Sequence, residues 1–370
     1  MQMLRSTSSA LVLTLLASAA ASAQTPIAQP PSHDAAQPVV TRPAAKPAAS
    51  AAPSHRWYEA QAIQLDARYR LIETSAGVRS SNHLQHRQTF RGAFKFDAKG
   101  RYTLQAGAGS GSSFTGSWEN AGPGTGDGNL AFGVRYLYGS AVPVKGLEVQ
   151  VGGLALVRGE NTEITSYDND GYITGERVTI KQPTRFHLDE ISLSTGYLGD
   201  TTTPSIFERG DRFSENNYTQ LLVAKKIGTR AALSFDWTGV DEVNTWRQGI
   251  RVGTKETGVV DAIRLELYER TTGAHAEGFA VAAERLLPHK LSLAGGYATI
   301  DKNYGGLNAD RFNRGNRVFV DAKLPLPQDL SLNVFYGRAV GNDYAVANKH
   351  RFDIVVGYNV LKALQRAKAL

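Results

Sequence analysis

The sequence predicts an all-β fold, a transmembrane, antiparallel, up-and-down β-barrel of about sixteen strands. Three observations support this prediction. The chain contains segments of roughly ten residues in which apolar and polar side chains alternate, its connections are alternately short and long, and it begins with an export sequence. Alternation is also typical of a soluble β-sandwich, so the other two observations are the ones that indicate a membrane barrel.

Alternation is regular in residues 88–96, where Phe90 and Phe94 alternate with Arg91 and Lys95. Because neighbouring side chains on a strand point to opposite faces, this segment has one apolar face and one charged face. A second alternating segment predicts one apolar face formed by Leu130, Phe132, Val134, Tyr136 and Tyr138.

The same pattern predicts sixteen strands at residues 57–72, 84–96, 101–115, 129–141, 147–158, 172–181, 186–198, 217–226, 230–240, 243–253, 259–270, 275–286, 290–300, 314–324, 329–340 and 349–360. Segments 172–181 and 243–253 are short and polar, and losing both as a pair would leave fourteen strands. An even number of strands places the beginning of the first strand and the end of the last strand on the periplasmic side.

The connections between these segments differ in length. Short turns occupy residues 97–100, 143–146, 181–184, 227–230, 287–290 and 325–329. Longer loops rich in Gly, Asn and Asp occupy residues 116–128, 159–171, 199–216, 301–313 and 341–348. Outer-membrane barrels have short turns on the periplasmic side and longer loops outside the cell, so this asymmetry favours a membrane barrel over a sandwich.

The sequence predicts that the chain divides into four parts. Arg5, an apolar stretch and the small residues Ala21-Ser22-Ala23 predict a signal peptide at residues 1–23 and export from the bacterial cytoplasm. Residues 24–55 are rich in Ala and Pro and predict a disordered periplasmic segment. The barrel is predicted at 56–360 and a short basic tail at 361–370. The chain has no Cys, which fits passage through an oxidising compartment.

The predicted signal peptide, the alternating segments, the short-turn and long-loop asymmetry and the aromatic residues near strand ends together resemble a Gram-negative outer-membrane porin. The resemblance is architectural and involves no family-specific motif. One departure is that porin-type barrels usually end on an aromatic residue, whereas this chain continues past Tyr358 to Leu370. The resemblance implies contact with outer-membrane lipid, insertion by the barrel-assembly machinery and a homotrimer, with no cofactor, metal or nucleic-acid partner.

A sixteen-stranded barrel is too wide for side chains to fill, which predicts a channel for passive diffusion of small hydrophilic solutes. The alternation places the following basic residues on the pore-lining face: Arg68, Arg70, Arg87, Arg91, Lys95, Arg101, Arg135, Arg158, Arg264, Arg317 and Lys323. The acidic candidates are fewer: Asp66, Glu148, Asp189, Asp236, Glu266, Asp321 and Asp353. This surplus and the formal charge of +7 predict a preference for anions, although excess charge that meets anionic headgroups is an equally good explanation.

Two other functions remain open from the sequence. The first is a non-conducting structural or scaffold barrel that tethers a periplasmic partner, which the Pro/Ala-rich segment favours. The second is a barrel lipid hydrolase or acyltransferase, for which His187 and Ser192 are the nearest catalytic candidates. We expect no enzyme, because no orienting acid and no nucleophile elbow accompany this pair.

Two metal-like patterns have simpler explanations. Asp168-Asn169-Asp170-Gly171 has the carboxylate spacing of a calcium loop, but the glutamate that completes an EF-hand is out of place. His83 and His86 have no third ligand nearby in the sequence. We therefore predict a solvated turn and a pair of loop-edge histidines.

Overall fold

The structure is a computed structural model that describes residues 56–74, 76–112, 116–124, 126–160, 172–182, 187–198, 205–254, 258–301, 303, 315–340 and 349–369. These residues form one antiparallel sheet of 17 strands. In chain order the strands are β1 (Tyr58–Glu73), β2 (Arg79–Lys95), β3 (Tyr102–Ser110), β4 (Glu119–Gly124), β5 (Phe132–Val144), β6 (Leu147–Ala155), β7 (Tyr172–Lys181), β8 (Glu190–Tyr197), β9 (Tyr218–Ile227), β10 (Ala231–Val240), β11 (Val243–Gly253), β12 (Ala262–Arg270), β13 (Ala276–Leu286), β14 (Ser292–Ile300), β15 (Gly315–Pro325), β16 (Leu330–Ala339) and β17 (His350–Asn359). The helices within the described ranges are the 3-10 helices Phe207–Arg212 and Pro288–Lys290 and the α-helix α1 (Val360–Arg366).

Sixteen of the strands close into a barrel. All except β4 pair with their neighbours along the chain, and β17 returns to pair with β1, from Gln64 opposite Asn359 to Glu73 opposite His350. The predicted sixteen-stranded antiparallel barrel is therefore confirmed. The two short polar segments both form strands, β7 and β11, so the alternative of fourteen strands is wrong.

The connections follow the prediction only in part. Because the number of barrel strands is even, β1 begins and β17 ends at the same end of the barrel, which we call the terminal end; the opposite end is the far end. At the far end, the connections at residues 74–78, 241–242 and 271–275 are short, like turns at the terminal end. The longest connections thus lie at the far end but do not occupy every position there, and the terminal end has two connections of eight residues, between β7 and β8 and between β11 and β12.

The predicted strand 101–115 is interrupted. β2 pairs with β3 from Lys95 opposite Thr103 to Thr89 opposite Gly109, and further up it pairs with β4, with His86 opposite Glu119. β3 and β4 therefore occupy one column of the barrel wall, and the described residues between them, 111–112 and 116–118, belong to neither strand. The sequence of β4, Glu-Asn-Ala-Gly-Pro-Gly, has no alternating pattern from which a strand could be predicted.

A β-bulge on β5 reverses part of the predicted alternation. Gly107 lies opposite Tyr136 while Ala108 lies opposite Val134, so Arg135 is an extra residue in the ladder. Val134 faces outward as predicted, but beyond the bulge Tyr136 and Tyr138 face inward and pack against a buried cluster that includes Leu154. The prediction that all five apolar residues of this segment share one face is therefore wrong.

The two faces of the wall differ in chemistry. The outer face carries exposed apolar side chains, including those of Leu65, Phe90, Phe94, Val320 and Val356. The inner face carries mostly polar and charged side chains, together with the apolar cluster around Leu154 and a second one that includes Tyr268, Ala280, Ala298, Phe319 and Phe335. Within the described ranges, no helix has the length and apolar character that crossing a bilayer requires.

The chain continues past the last strand into α1, which packs beside β1. The Asn359 side chain caps this helix by accepting a hydrogen bond from the backbone N–H of Lys362 at 2.9 Å. Arg366 forms an ion pair with Asp329 at 2.9 Å. The first residue of β1 to pair with β17 is Gln64, so among the described strands residues 58–63 pair with β2 alone.

Candidate functional site

The candidate site is the inner face of the barrel, where alternate residues of each strand carry polar side chains. On β1, Asp66, Arg68 and Arg70 are 5%, 6% and 8% exposed, whereas Leu65 is 44% exposed. Because these residues alternate along one strand, the charged groups lie inside the barrel and the apolar groups outside.

Five arginines form what we call the basic wall, which runs across β15, β17, β1 and β2: Arg317, Arg351, Arg70, Arg68 and Arg87. Two carboxylates lie among them. Asp66 accepts a hydrogen bond from Arg87 at 2.7 Å, and Asp353 lies between Arg70, at 3.0 Å, and Arg351, at 2.7 Å. The basic wall therefore contains five guanidinium groups and two carboxylates.

An aromatic ring covers part of the basic wall. The guanidinium carbons of Arg68 and Arg87 lie 4.0 and 4.6 Å from the ring centroid of Trp118, which is a cation–π arrangement. Arg68 also donates two hydrogen bonds to the neutral side-chain oxygen of Gln85, at 3.0 and 2.7 Å. Trp118 belongs to the connection between β3 and β4, whose described residues 111–112 and 116–118 we call the insertion, so the insertion brings a ring onto the inner face.

The buried Arg135 holds the base of the insertion. Its Nη1 donates to the backbone oxygens of Ser110, at 3.2 Å, and Gly111, at 3.4 Å. The hydroxyl of Ser110 closes the neck of the insertion by donating to the backbone oxygen of Ser117 at 2.8 Å. The bulge that reverses β5 thus also supplies the side chain that fixes the neighbouring insertion.

A second segment enters the barrel after β6. Gln220 on β9 donates to the backbone oxygen of Val157 at 3.1 Å, and the backbone N–H of Glu160 donates to the hydroxyl of Ser234 on β10 at 2.7 Å. Gln220 and Ser234 both lie on the inner face, so residues 156–160 cross the inside of the barrel from β6 toward β10. The rest of this connection lies outside the described residues.

In the middle of β9–β11 the inner face carries one buried carboxylate matched by one buried guanidinium, and we call this region the balanced wall. Arg247 and Asp236 are 2% and 1% exposed, and Arg247 Nε donates to Asp236 Oδ1 at 2.9 Å. Thr238 donates to the same oxygen at 2.9 Å, and Gln220 donates to the other. This network satisfies a buried carboxylate and a buried guanidinium together.

Smaller ion pairs lie toward the terminal end of the inner face. The paired residues are Lys95 and Glu59, 2.6 Å apart, Lys181 and Glu148, 2.9 Å apart, Lys323 and Asp321, 3.2 Å apart, and Arg264 and Glu284, 3.0 Å apart. Arg91 lies on β2 on the same face as Arg87, and Glu266 is fully buried on β12.

Three of the predicted residues lie outside the strands. Arg101 precedes β3 and forms an ion pair with Asp97 in the turn at 3.2 Å. Arg158 lies in the segment that enters the barrel, since β6 ends at Ala155 rather than at residue 158. Asp189 precedes β8, and its backbone N–H donates to the backbone oxygen of Ala224 at 3.0 Å.

The sequence reasoning missed several inner-face residues: Trp118, Arg177, Arg247, Arg251 and Arg351. Arg247 and Arg251 alternate with Gln248 and Ile250, so a stricter application of the period of two to β11 would have found them. Trp118 lies between two irregular stretches, and no periodic signal points to it.

Asp97 is the titratable group of the turn between β2 and β3. Desolvation raises the pKa of this carboxyl, but hydrogen bonds from the backbone N–H of Tyr102 and from Arg101 outweigh that effect and hold the pKa below its usual value. The two backbone bonds to Asp97 Oδ1 measure 2.6 Å from Arg101 and 3.0 Å from Tyr102. The carboxylate therefore closes the turn in its charged form.

The two predicted catalytic candidates, Ser192 and His187, lie on β8 and in the turn before it. The hydroxyl of the fully buried Ser192 shares a hydrogen bond with that of Thr179 at 3.0 Å, while His187 lies in the turn before β8 with a φ of 52°. No group of three His, Cys, Asp or Glu side chains within the described ranges could hold a metal ion. The sequence Asp168 to Gly171 lies outside those ranges.

The fold and its inner face define the class: a closed, sixteen-stranded, porin-type β-barrel. An engineered variant of the Rhodopseudomonas blastica porin has a TM-score of 0.52 at 10% identity, over 80% of this chain and 99% of that one. Salmonella typhi OmpF, in complex with daunomycin, has a TM-score of 0.51 at 11% identity, over 81% of this chain and 97% of that one. No family model and no curated protein matches the sequence. The structural likeness establishes the fold.

Proposed function

We propose that this protein is an outer-membrane channel for passive diffusion of small hydrophilic solutes and that it prefers anions. The observation that carries the preference is the basic wall, in which five guanidiniums accompany two carboxylates. A wall with surplus positive charge in a low-dielectric barrel attracts anions and repels cations along the solute path.

The two segments that enter the barrel support a narrow path rather than a wide one. The insertion places Trp118 on the basic wall, and residues 156–160 lie against the balanced wall. We infer that solutes pass between them, and that the predicted basic residues other than the buried Arg135 line this path or its two mouths. Narrowing increases the effect of the wall charges, because a passing ion stays within about 10 Å of them, the Debye length at 0.1 M salt.

The same proposal places the chain in the bacterial outer membrane, exported by residues 1–23, with residues 24–55 in the periplasm. The outer face supports this location because its exposed side chains are predominantly apolar. Assembly by the barrel-assembly machinery and a homotrimeric state are part of the proposal, through analogy with porins. Full-length protein in outer-membrane fractions should change its gel mobility on boiling, and recovery of a soluble periplasmic protein would contradict the location.

The test of function is the reversal potential of the purified protein in a planar bilayer under a salt gradient. Replacing Arg87 and Arg91 with Glu should shift the reversal potential toward cation selectivity, with the larger shift at low salt. The control is R87K/R91K, which keeps both charges and should keep the wild-type value. An unchanged reversal potential in a folded R87E/R91E barrel would contradict the preference, and a folded barrel without conductance would favour the scaffold alternative.

A further inference from the structure

A pocket opens on the outer face of β9–β11 at the far end of the barrel, and we call it the rim pocket. Trp237 and Gly239 on β10 line it and alternate with the buried Asp236 and Thr238, so they face away from the barrel interior. Its volume of about 240 Å³ is smaller than the roughly 300–1,000 Å³ of sites for drug-sized ligands. The rim pocket therefore suits a single small ring.

The base of the rim pocket is a group of aromatic rings. The ring centroid of Trp246 on β11 lies 6.3 Å from that of Trp237 and 4.9 Å from that of Phe235. A Cβ placed on Gly239 would lie 3.4 and 3.5 Å from the ring carbons Cζ2 and Cη2 of Trp237, so the glycine lets the indole lie across β10. Amphipathic aromatic rings of membrane barrels collect at the boundary between hydrocarbon and headgroups, which places the rim pocket at headgroup level.

A row of polar side chains lies immediately beyond the rings. Thr219 on β9 and Asn244 on β11 are the direct partners of Gly239. The next outward-facing row, two residues closer to the terminal end, contains Trp237 and Trp246. Asn244 Oδ1 would lie 3.1 Å from a Cβ on Gly239, so the Asn244 amide reaches over the glycine. The outer face thus changes from aromatic to polar within one row of the sheet.

The polar side chains of the rim pocket offer a ligand both donors and acceptors. Asn216 Nδ2 donates to a neighbouring hydroxyl at 2.9 Å, and Asn217 Oδ1 accepts a backbone N–H at 2.8 Å, which leaves the Asn216 oxygen and the Asn217 nitrogen for a ligand. Within the described ranges, the side chains of Asp241 and Asn244 form no hydrogen bond or ion pair. Of the described residues that line the pocket, Asp241 alone is charged. This donor and acceptor set suits hydroxyl groups, which both donate and accept, and does not suit a phosphoryl group.

We propose that the rim pocket binds the uncharged sugar ring of a membrane glycolipid whose headgroup lies beside the far end of the barrel. A sugar ring carries C–H groups on its faces and hydroxyls around its edge. The C–H groups contact the negative face of the Trp237 indole, while Thr219, Asp241 and Asn244 hydrogen-bond the hydroxyls. The acyl chains of the same lipid lie along the apolar outer face below the rings, a contact that a free sugar lacks. The inference rests on the proposed membrane location and does not require conduction.

Binding is tested by urea unfolding of the purified full chain in phosphatidylcholine vesicles that contain increasing fractions of digalactosyl diacylglycerol. The unfolding midpoint of wild type should rise and reach a plateau, because the glycolipid binds the folded state alone. Asn244→Leu removes the amide with little change in size and should lose most of this rise. The matched control is Gln248→Leu, which removes another outward-facing amide of β11 outside the rim pocket and should keep the wild-type rise.

Two replacements of the probe test its chemistry. Phosphatidylglycerol in the vesicles, or methyl galactoside in free solution, should produce no difference between wild type and Asn244→Leu. A difference as large as the one with the glycolipid would overturn the assignment to an uncharged glycolipid headgroup. Equal rises in wild type and Asn244→Leu with the glycolipid, or no rise in wild type, would overturn the site.

Conductance in a planar bilayer separates the rim pocket from the proposed channel. Asn244→Leu should conduct as wild type does and keep its reversal potential, because the rim pocket lies on the outer face. A changed reversal potential in this variant would overturn the outward placement of the pocket. A barrel that shows the Asn244-dependent rise but never conducts would contradict the proposed channel and leave the glycolipid site intact.

Discussion

The basic wall and the balanced wall lie on opposite sides of the barrel and show two uses of the same strand pattern. On the balanced wall, Asp236 and Arg247 are matched one to one and almost wholly buried. On the basic wall, five arginines accompany two aspartates, which pair with Arg70, Arg87 and Arg351, and Arg87 keeps 28% of its side chain exposed. Buried charge must be matched to be tolerated, whereas surplus charge needs contact with water or ions. The difference therefore separates a wall that holds the fold from a wall that can act on solutes.

The largest expected effect is on the balanced wall. Asp236→Ala leaves Arg247 buried without its carboxylate and should cost about 3–5 kcal/mol of unfolding free energy. Asp66→Ala on the basic wall should cost much less, because Arg87 is 28% exposed and stays partly hydrated. Urea unfolding in lipid vesicles measures both, and equal costs would remove the distinction between the walls.

The next effect tests the outer face behind the basic wall. Val334→Arg on β16 places a charge on the apolar side and should cost roughly 2–4 kcal/mol if that side contacts lipid. Asn333→Arg, one position away on the inner face, should cost far less. The same vesicle unfolding assay applies, and similar costs at the two neighbours would contradict the assigned faces.

A smaller effect on the unfolding free energy is expected at Trp118, whose ring lies against the basic wall. Trp118→Ala removes its cation–π contacts with Arg68 and Arg87 and should cost roughly 1–2 kcal/mol. Single-channel conductance should rise, because the ring no longer narrows the path. Trp246→Ala, on the outer face, serves as a control that should leave conductance unchanged. A conductance unaffected by Trp118→Ala would place the solute path away from this ring.

The smallest effect concerns the turn at Asp97, outside both walls. Its folded pKa is lowered, so it contributes stability above its unfolded pKa of about 3.9, and that contribution is lost as pH falls through the folded value. Asp97→Asn should therefore lose this pH dependence and change neither selectivity nor conductance. The unfolding midpoints of wild type and variant, compared between pH 2 and about 6, measure this pH dependence. Identical pH profiles would contradict a stabilising role for the Asp97 carboxylate.

The strands could be predicted from the sequence because a period of two is a local signal; β7 and β11 have the predicted limits despite their polarity. Most inward basic residues follow from the same period. Contacts between distant parts of the chain do not, such as Arg70 with Asp353, which meet only when the barrel closes. The bulge at Arg135 and the insertion that carries Trp118 do not follow from this period either. The bulge adds one residue to β5, and one extra residue reverses the faces of every later side chain on its strand.

At the joint where β1 and β17 pair to close the barrel, β1 extends past the end of β17 by residues 58–63, and we call these residues the overhang. The backbone groups of the overhang on the side of β17 would form an open sheet edge facing the aqueous mouth. The register change between Ala60 and Ala62 makes the overhang irregular, and α1 packs beside β1 with Leu361 buried. Residues beyond the last strand thus shield the joint at which the barrel closes, and they make the overhang a poor template for another chain's strand.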